Sequence, residues 1–173
     1  MRPTEITLTF GIPGWFGVGT KWEPQQAERR AAWELYVELV TRIAVAPLQP
    51  DEGLLREALS SLYALFAITR DILRRHGPGV APGPRSVLTV GYLGVAVLNG
   101  SLRPLLARWH PLLLDYEATR VAGVSASEHE RRWERAAELR AELERTRQLL
   151  VRYALSLGEA AGAAPLLPPD WQA

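Results

Sequence analysis

Nine consecutive residues, 103–111, concentrate side chains that bind anions or stack on aromatic rings. They include two arginines, a tryptophan and a histidine: Arg103, Arg108, Trp109 and His110. Guanidinium groups form paired hydrogen bonds with phosphate or carboxylate, and an indole offers a face for stacking. Asn99 precedes Arg103 by one helical turn. The pattern predicts a small anion-binding site built from Asn99, Arg103, Arg108, Trp109 and His110.

The charge of the surrounding sequence favours the same site. Residues 77–114 contain Arg85, Arg103 and Arg108 but no acidic residue, whereas the whole chain has a formal net charge of +1. The positive charge is therefore local. Broad nucleic-acid binding needs an excess of basic residues over the whole chain, so we do not expect it. A small anionic ligand is the ligand that a local positive charge favours.

A purely structural role is the alternative for these side chains. In that case Arg103 forms an ion pair with a carboxylate of another helix, such as Asp71 or Glu38, and Trp109 packs in the core. A binding site requires instead that Arg103 and His110 converge in a cleft with Asn99 and Tyr63.

Catalytic and metal-binding motifs are missing from the sequence. The glycines at 11, 14, 17 and 19 are not followed by the Lys-Ser/Thr pair of a phosphate-binding loop, and the chain has no cysteine. Three histidines, His76, His110 and His129, stand outside the Glu-x-x-His spacing of di-iron helices. We therefore predict no catalytic residue, no metal and no cofactor, and favour a non-enzymatic protein.

Length and composition predict one folded domain. The chain has 173 residues, of which 47% are hydrophobic and 23% are charged, which suffices to bury a core. We assign residues 1–158 to this domain and residues 159–173 to a flexible C-terminal tail. Because cysteine is absent and the first residues lead into no apolar segment, we expect a cytoplasmic protein.

Periodicity predicts a mainly α fold in which an N-terminal β-hairpin packs on an antiparallel bundle of about four helices. Residues 5–10 alternate apolar and polar side chains, and the glycines that follow favour a hairpin over 5–22. Residues 24–158 form the bundle, interrupted by a Pro/Gly-rich linker at 77–86. The first helix ends near Ala46, and the second ends at His76 before Gly77 and Pro78.

The second half of the bundle is less uniform in pattern. Residues 87–102 have the composition of a strand but the spacing of a helix, and we favour a buried helix too short to span a membrane. Pro104 and Pro111 are each expected to kink or interrupt it, and an interruption would leave residues 105–116 as a separate short helix. Ser127 and Glu130 form a possible capping box for a last helix running unbroken to Leu157.

Three segments, 33–39, 60–63 and 102–110, resemble small helical proteins of unassigned function from high-GC bacteria. The resemblance spans about residues 5–160 and transfers no catalytic residue. It implies an accessory role in a multi-component bacterial system, such as a defence system.

We therefore expect a non-enzymatic interaction module, an accessory subunit or adaptor that binds a protein partner or a second copy of itself. The alternative is an anion- or nucleotide-binding sensor or enzyme with its site around Arg103, Arg108 and His110. A third possibility is peripheral membrane attachment through Trp15, Phe16 and Trp22.

Overall fold

An N-terminal β-hairpin lies on a bundle of four long helices, as the periodicity predicts. The computed structural model describes residues 5–49, 52–81 and 88–172. Within them the helices are α1 (Gln26–Val40), α2 (Leu55–His76), α3 (Val90–Glu117), the short α4 (Ala126–Arg131) and α5 (Ala136–Ala161). Short 3₁₀ helices follow α1, α2 and α5 at Ile43–Val45, Gly77–Val80 and Pro169–Gln172.

Contacts between the long helices show that neighbours run antiparallel. The beginning of α2 contacts the end of α3 through Arg56 and Glu117, and the second half of α3 contacts the beginning of α5 through Arg108 and Glu142. The beginning of α1 contacts the end of α5 through Arg29, which donates to the carbonyl of Ala160. Their apolar faces form one core, in which Leu35, Leu59, Leu93 and Leu139 are at most 1% exposed.

The hairpin consists of β1 (Ile6–Thr7) and β2 (Lys21–Trp22), paired antiparallel with Ile6 opposite Trp22. Its alternation is the predicted one, because Ile6, Leu8 and Phe10 are buried while Thr7 and Thr9 are exposed. A two-stranded hairpin is marginal on its own, so this buried face fixes it to the bundle.

A buried carboxylate ties the hairpin to two helices. Glu28, in the first turn of α1, is 0% exposed. Its Oε1 accepts hydrogen bonds from the indole of Trp22 and from the backbone N–H of Val90, both at 3.1 Å, and its Oε2 accepts one from the N–H of Gln25 at 2.9 Å. Glu28 therefore joins β2 and the beginnings of α1 and α3.

Helix α3 settles the ambiguity of residues 87–102 in favour of helix from Val90 onward, with Thr89 capping its beginning. Neither proline interrupts the helix, which continues past Pro104 and Pro111 to Glu117, so residues 105–116 are not a separate helix. A π-helical segment, Val97–Leu102, ends two residues before Pro104. Such a wide turn absorbs a residue that cannot donate to the helix.

The π-helical segment packs against the hairpin loop at Gly100. A Cβ atom there would overlap Cγ2 of the buried Ile12 and lie 3.2 Å from the indole of Trp15. Glycine is therefore required for this close approach.

Helix α3 is the one helix in the described residues that is long and apolar enough to cross a membrane. Core helices pass the same test of length and composition, and half of the most apolar stretch of α3 is buried.

The predicted capping box at Ser127 and Glu130 is wrong. Ser125 caps α4 by accepting a hydrogen bond from the N–H of Glu128, and residues 132–135 separate α4 from α5, so the last helix is not continuous from 127. Glu130 is 7% exposed and accepts a 2.7 Å hydrogen bond from the N–H of Leu55. It therefore caps the beginning of α2 across 75 residues of sequence.

The segment after α5 lies along the bundle. Leu167 is 4% exposed, the N–H of Leu166 donates to the Tyr36 hydroxyl at 2.6 Å, and Arg147 donates to the carbonyl of Trp171 at 2.9 Å. These contacts hold residues 162–171 against α1 and α5.

The burial of Glu130 predicts a pH dependence of stability. Burial raises its pKa above 4.5, against the opposing hydrogen bond from Leu55 and the charge of Arg140. The folded protein therefore binds this proton more tightly than the unfolded chain does. The stabilisation from Glu130 is complete below pH 4.5 and is lost as the pH rises through the folded-state pKa.

We expect the stability of the wild type relative to Glu130→Gln to fall as the pH is raised from about 4 to 7, because only the wild type must ionise a buried group. Urea denaturation at several pH values measures this difference. Glu159→Gln, at an exposed position on α5, should show no such trend. A wild type whose stability relative to Glu130→Gln rises with pH would contradict the effect of burial.

Candidate functional site

A cleft of about 530 Å³ lies between α2 and α3. We call it the arginine cleft. Helix α2 contributes two aromatic residues and an arginine, and α3 contributes an arginine, a histidine and two small or apolar side chains. The lining residues are Tyr63, Phe66, Arg70, Arg103, Leu106, Ala107 and His110. No carboxylate is among them.

Two cations of this cleft are without carboxylate partners in the described parts of the chain. Nε of Arg103 donates to the amide oxygen of Asn99 at 2.9 Å, and the guanidinium lies over the ring of Phe66 at 5.4 Å. Neither Arg103 nor Arg70 forms an ion pair there. The alternative role for Arg103, an ion pair with a carboxylate such as Asp71 or Glu38, is not what the structure shows. Asp71 pairs with Arg75 instead, and Glu38 pairs with Arg42.

His110 has its protonation pattern fixed by a neighbouring cation. A guanidinium nitrogen of Arg56 lies 3.0 Å from Nδ1 of His110, and Arg56 also holds Glu117 through two nitrogens. Because a guanidinium only donates, Nδ1 accepts and the proton of the neutral ring is on Nε2. Burial, followed by the charge of Arg56, lowers the pKa of His110 below 6.5, so the neutral ring predominates at pH 7.

The Nε2–H of His110 is buried and lacks a hydrogen-bond partner in the described structure. An unsatisfied buried donor is costly unless a partner arrives. The ring of Tyr63 meets the imidazole edge-to-face at 5.8 Å, although Tyr63 is itself 65% exposed. The cleft thus combines an exposed aromatic face with donors that lack acceptors.

Arg108 and Trp109 lie on a different side of α3, toward α5. Arg108 forms ion pairs with Glu138 and Glu142, and the Trp109 indole donates to Glu142 at 2.8 Å. Trp109 is 0% exposed. The five predicted residues are therefore divided: Arg103 and His110 line the arginine cleft, Asn99 supports Arg103, and the other two belong to the α3–α5 interface. Arg85 lies outside the described residues.

A second, smaller groove of about 340 Å³ continues the arginine cleft along α2 and shares Phe66, Arg70 and Arg103 with it. It is lined further by polar and apolar residues, namely Thr69, Leu73, Arg74, Val95, Leu98 and Asn99. Arg74, like the two other arginines, forms no ion pair within the described residues. The two grooves make one basic strip.

Arg70 and Phe66 are site residues that the sequence did not predict, although their spacing in α2 places them on one face with Tyr63 and Arg74. Tyr63, Phe66, Arg70 and Arg74 recur at spacings of three or four, which places them on one helix face. Their polar and aromatic character distinguishes this face from the leucine-rich face that packs in the core. This face of α2 could not be recognised as one side of a cleft from the sequence, because only the tertiary structure brings Arg103 beside it.

Metal binding finds no support in the geometry: no group of three or more potential ligand side chains comes together within the described ranges. Comparison with protein-family models, with curated proteins and with solved structures finds no match.

Proposed function

We propose that this protein is a non-enzymatic binding module that holds an anionic group in the arginine cleft. One observation carries the proposal: Arg70 and Arg103 share a cleft that no acidic side chain lines, and no described carboxylate pairs with either. Guanidinium groups in this situation form charge-assisted hydrogen bonds with phosphate or carboxylate. The cleft supplies charge and a stacking surface, and its one imidazole has Nδ1 engaged by Arg56. That supports binding over proton transfer.

The second candidate is an accessory subunit or adaptor that binds an acidic segment of a partner protein. The basic strip supports it, because the cleft and its neighbouring groove together follow α2 from Tyr63 to Arg74, roughly 16 Å at the rise of a helix. A strip of that length accommodates several residues of a partner. The resemblance of the sequence to small proteins of high-GC bacteria supports an accessory role in a multi-component system, which we propose to be cytoplasmic.

Light scattering after size-exclusion chromatography tests the adaptor role, in the presence and absence of a peptide rich in Glu and Asp. We expect the peptide to bind with a strong dependence on salt, because the contact is electrostatic. A monomer that ignores acidic peptides at low salt would contradict the adaptor role.

Removal of either cleft arginine is expected to weaken anion binding. Arg103→Ala and Arg70→Ala should each lower the affinity for phosphate or a nucleotide about 10- to 150-fold, since a hydrogen bond to a charged group contributes about 1.5–3 kcal/mol. Isothermal titration calorimetry measures the affinity, and ligand-induced thermal shifts screen the anions.

Arg152→Ala is the matched control, because Arg152 is an exposed arginine of α5 that does not line the cleft. It removes the same charge and should leave the affinity unchanged. Equal losses in all three variants would show a non-specific charge effect and would overturn the proposed site.

A further inference from the structure

We infer that the arginine cleft selects a small anion that carries a planar aromatic ring, such as a nucleoside monophosphate or an aryl phosphate. This inference rests on the proposed function and adds the chemical class of the ligand. It uses Tyr63 and His110, which an inorganic anion held by the two arginines would leave without a role.

The polar groups of the cleft define one end of the ligand. Asn99 engages Nε of Arg103, and no described acceptor engages the two terminal nitrogens of that guanidinium. Because Arg103 is also held over Phe66, its position is set before a ligand binds. Arg70 and the Nε2–H of His110 add further donors. A set composed of donors is complementary to the oxygens of a phosphate or carboxylate.

Tyr63 defines the other end. It is 65% exposed and lies between His110 at 5.8 Å and Phe66 at 6.2 Å, measured between ring centroids. An exposed aromatic face beside cations is the arrangement that stacks on bases and other planar rings. Because Nε2 of His110 is buried, its N–H reaches a ligand only when a neighbouring side chain such as Tyr63 moves.

The size of the cleft fits the same ligand. A volume of about 530 Å³ falls in the range of small-molecule sites, which is about 300–1,000 Å³. It exceeds what an inorganic phosphate fills, and the excess is lined by Tyr63, Phe66 and Leu106. An apolar and aromatic lining stabilises the ring of a bound ligand, whereas it offers no favourable contact to a second charged group.

Calorimetry with ethyl phosphate and phenyl phosphate tests the inference, because the two carry the same anionic group and differ in the ring. We expect phenyl phosphate to bind about tenfold tighter, the contribution of one aromatic stacking contact, and adenosine monophosphate to bind at least as tightly. Tyr63→Leu should abolish this preference, and Tyr63→Phe should retain it. Trp33→Leu, at a half-exposed tryptophan of α1, should also retain it.

Equal affinities for the two phosphates would overturn the selection of an aromatic ring and leave the anion site standing. Absence of binding by either compound, and by inorganic phosphate, would overturn the proposed function as well. An acidic peptide that binds more tightly than every aromatic phosphate would also overturn the inference, in favour of the adaptor role. Circular dichroism of each variant confirms that the compared proteins are folded.

Discussion

Replacement of Glu28 by alanine is expected to lower the free energy of unfolding by about 3–5 kcal/mol, one of the two largest effects expected for this protein. Three donors depend on this carboxylate: the indole of Trp22, and the backbone N–H groups of Gln25 and Val90. Trp22 is 2% exposed and Val90 is 0% exposed, so water cannot replace the acceptor without opening the fold.

The size of the effect follows from the cost of an unsatisfied buried donor, about 1–3 kcal/mol for each of the two buried groups, the Trp22 indole and the Val90 N–H. The two costs are not independent, because one movement of the hairpin can relieve both of them. Urea denaturation measures the change as a shift of the midpoint at constant m-value.

Two variants isolate the role of the carboxylate. Glu28→Gln retains an oxygen acceptor and should cost less than Glu28→Ala. Glu159→Ala removes an exposed glutamate of α5 and should change stability by less than about 0.5 kcal/mol. A Glu28→Ala protein as stable as the Glu159→Ala protein would show that the three hydrogen bonds do not hold the hairpin to the bundle.

Replacement of Trp109 by alanine should cost nearly as much, about 3–5 kcal/mol, the usual range for a buried tryptophan. The ring is 0% exposed and meets Trp133 edge-to-face at 6.0 Å. The guanidinium groups of Arg108 and Arg135 lie over it at 4.7 and 4.8 Å, and its N–H donates to Glu142. Truncation would leave a cavity and an exposed set of charges at the α3–α5 interface.

Trp109→Phe keeps the packing but removes the donor, and should lose less stability than Trp109→Ala. Its affinity for phenyl phosphate should equal that of the wild type, because Trp109 does not line the arginine cleft. Trp33→Ala is the stability control, since Trp33 is 44% exposed. A Trp109→Phe protein that folds normally but binds phenyl phosphate weakly would show that Trp109 is part of the binding site, as the sequence predicts.

Much of the fold could be predicted because local patterns carry it. The alternation at Ile6, Leu8 and Phe10 identifies a strand with one buried face, and the structure confirms it. Gly77 ends α2 with a φ of 58°, the backbone conformation that glycine adopts without strain. Helical spacing also outweighed strand-like composition between residues 88 and 102.

Predictions failed where one residue could serve two structures. Glu130 stands three residues after Ser127, which is the spacing of a capping box, but its carboxylate caps α2 instead. Pro104 and Pro111 suggest breaks, yet the packing of α3 between α2 and α5 holds the helix together, with a π-helical segment before Pro104. In each case contacts from a distant part of the chain decide the outcome.

The candidate site shows the same division. The sequence identified an acid-free segment and the pair formed by Asn99 and Arg103, which lie one helical turn apart and share a hydrogen bond. It could not separate Arg103 from Arg108, because both look equally basic. The structure pairs Arg108 with two glutamates of α5 and places Arg103 beside Arg70.

Periodicity and turn residues largely set which segments become helices or strands and which of their faces are apolar, because these patterns act over a few neighbouring positions. The tertiary structure alone decided which charges are neutralised, since an ion pair between α3 and α5 depends on how the two helices dock. A cation is available to a ligand only when no such partner reaches it. Arg70 and Arg103 meet that condition within the described structure, and they also line one cleft that has no acidic side chain.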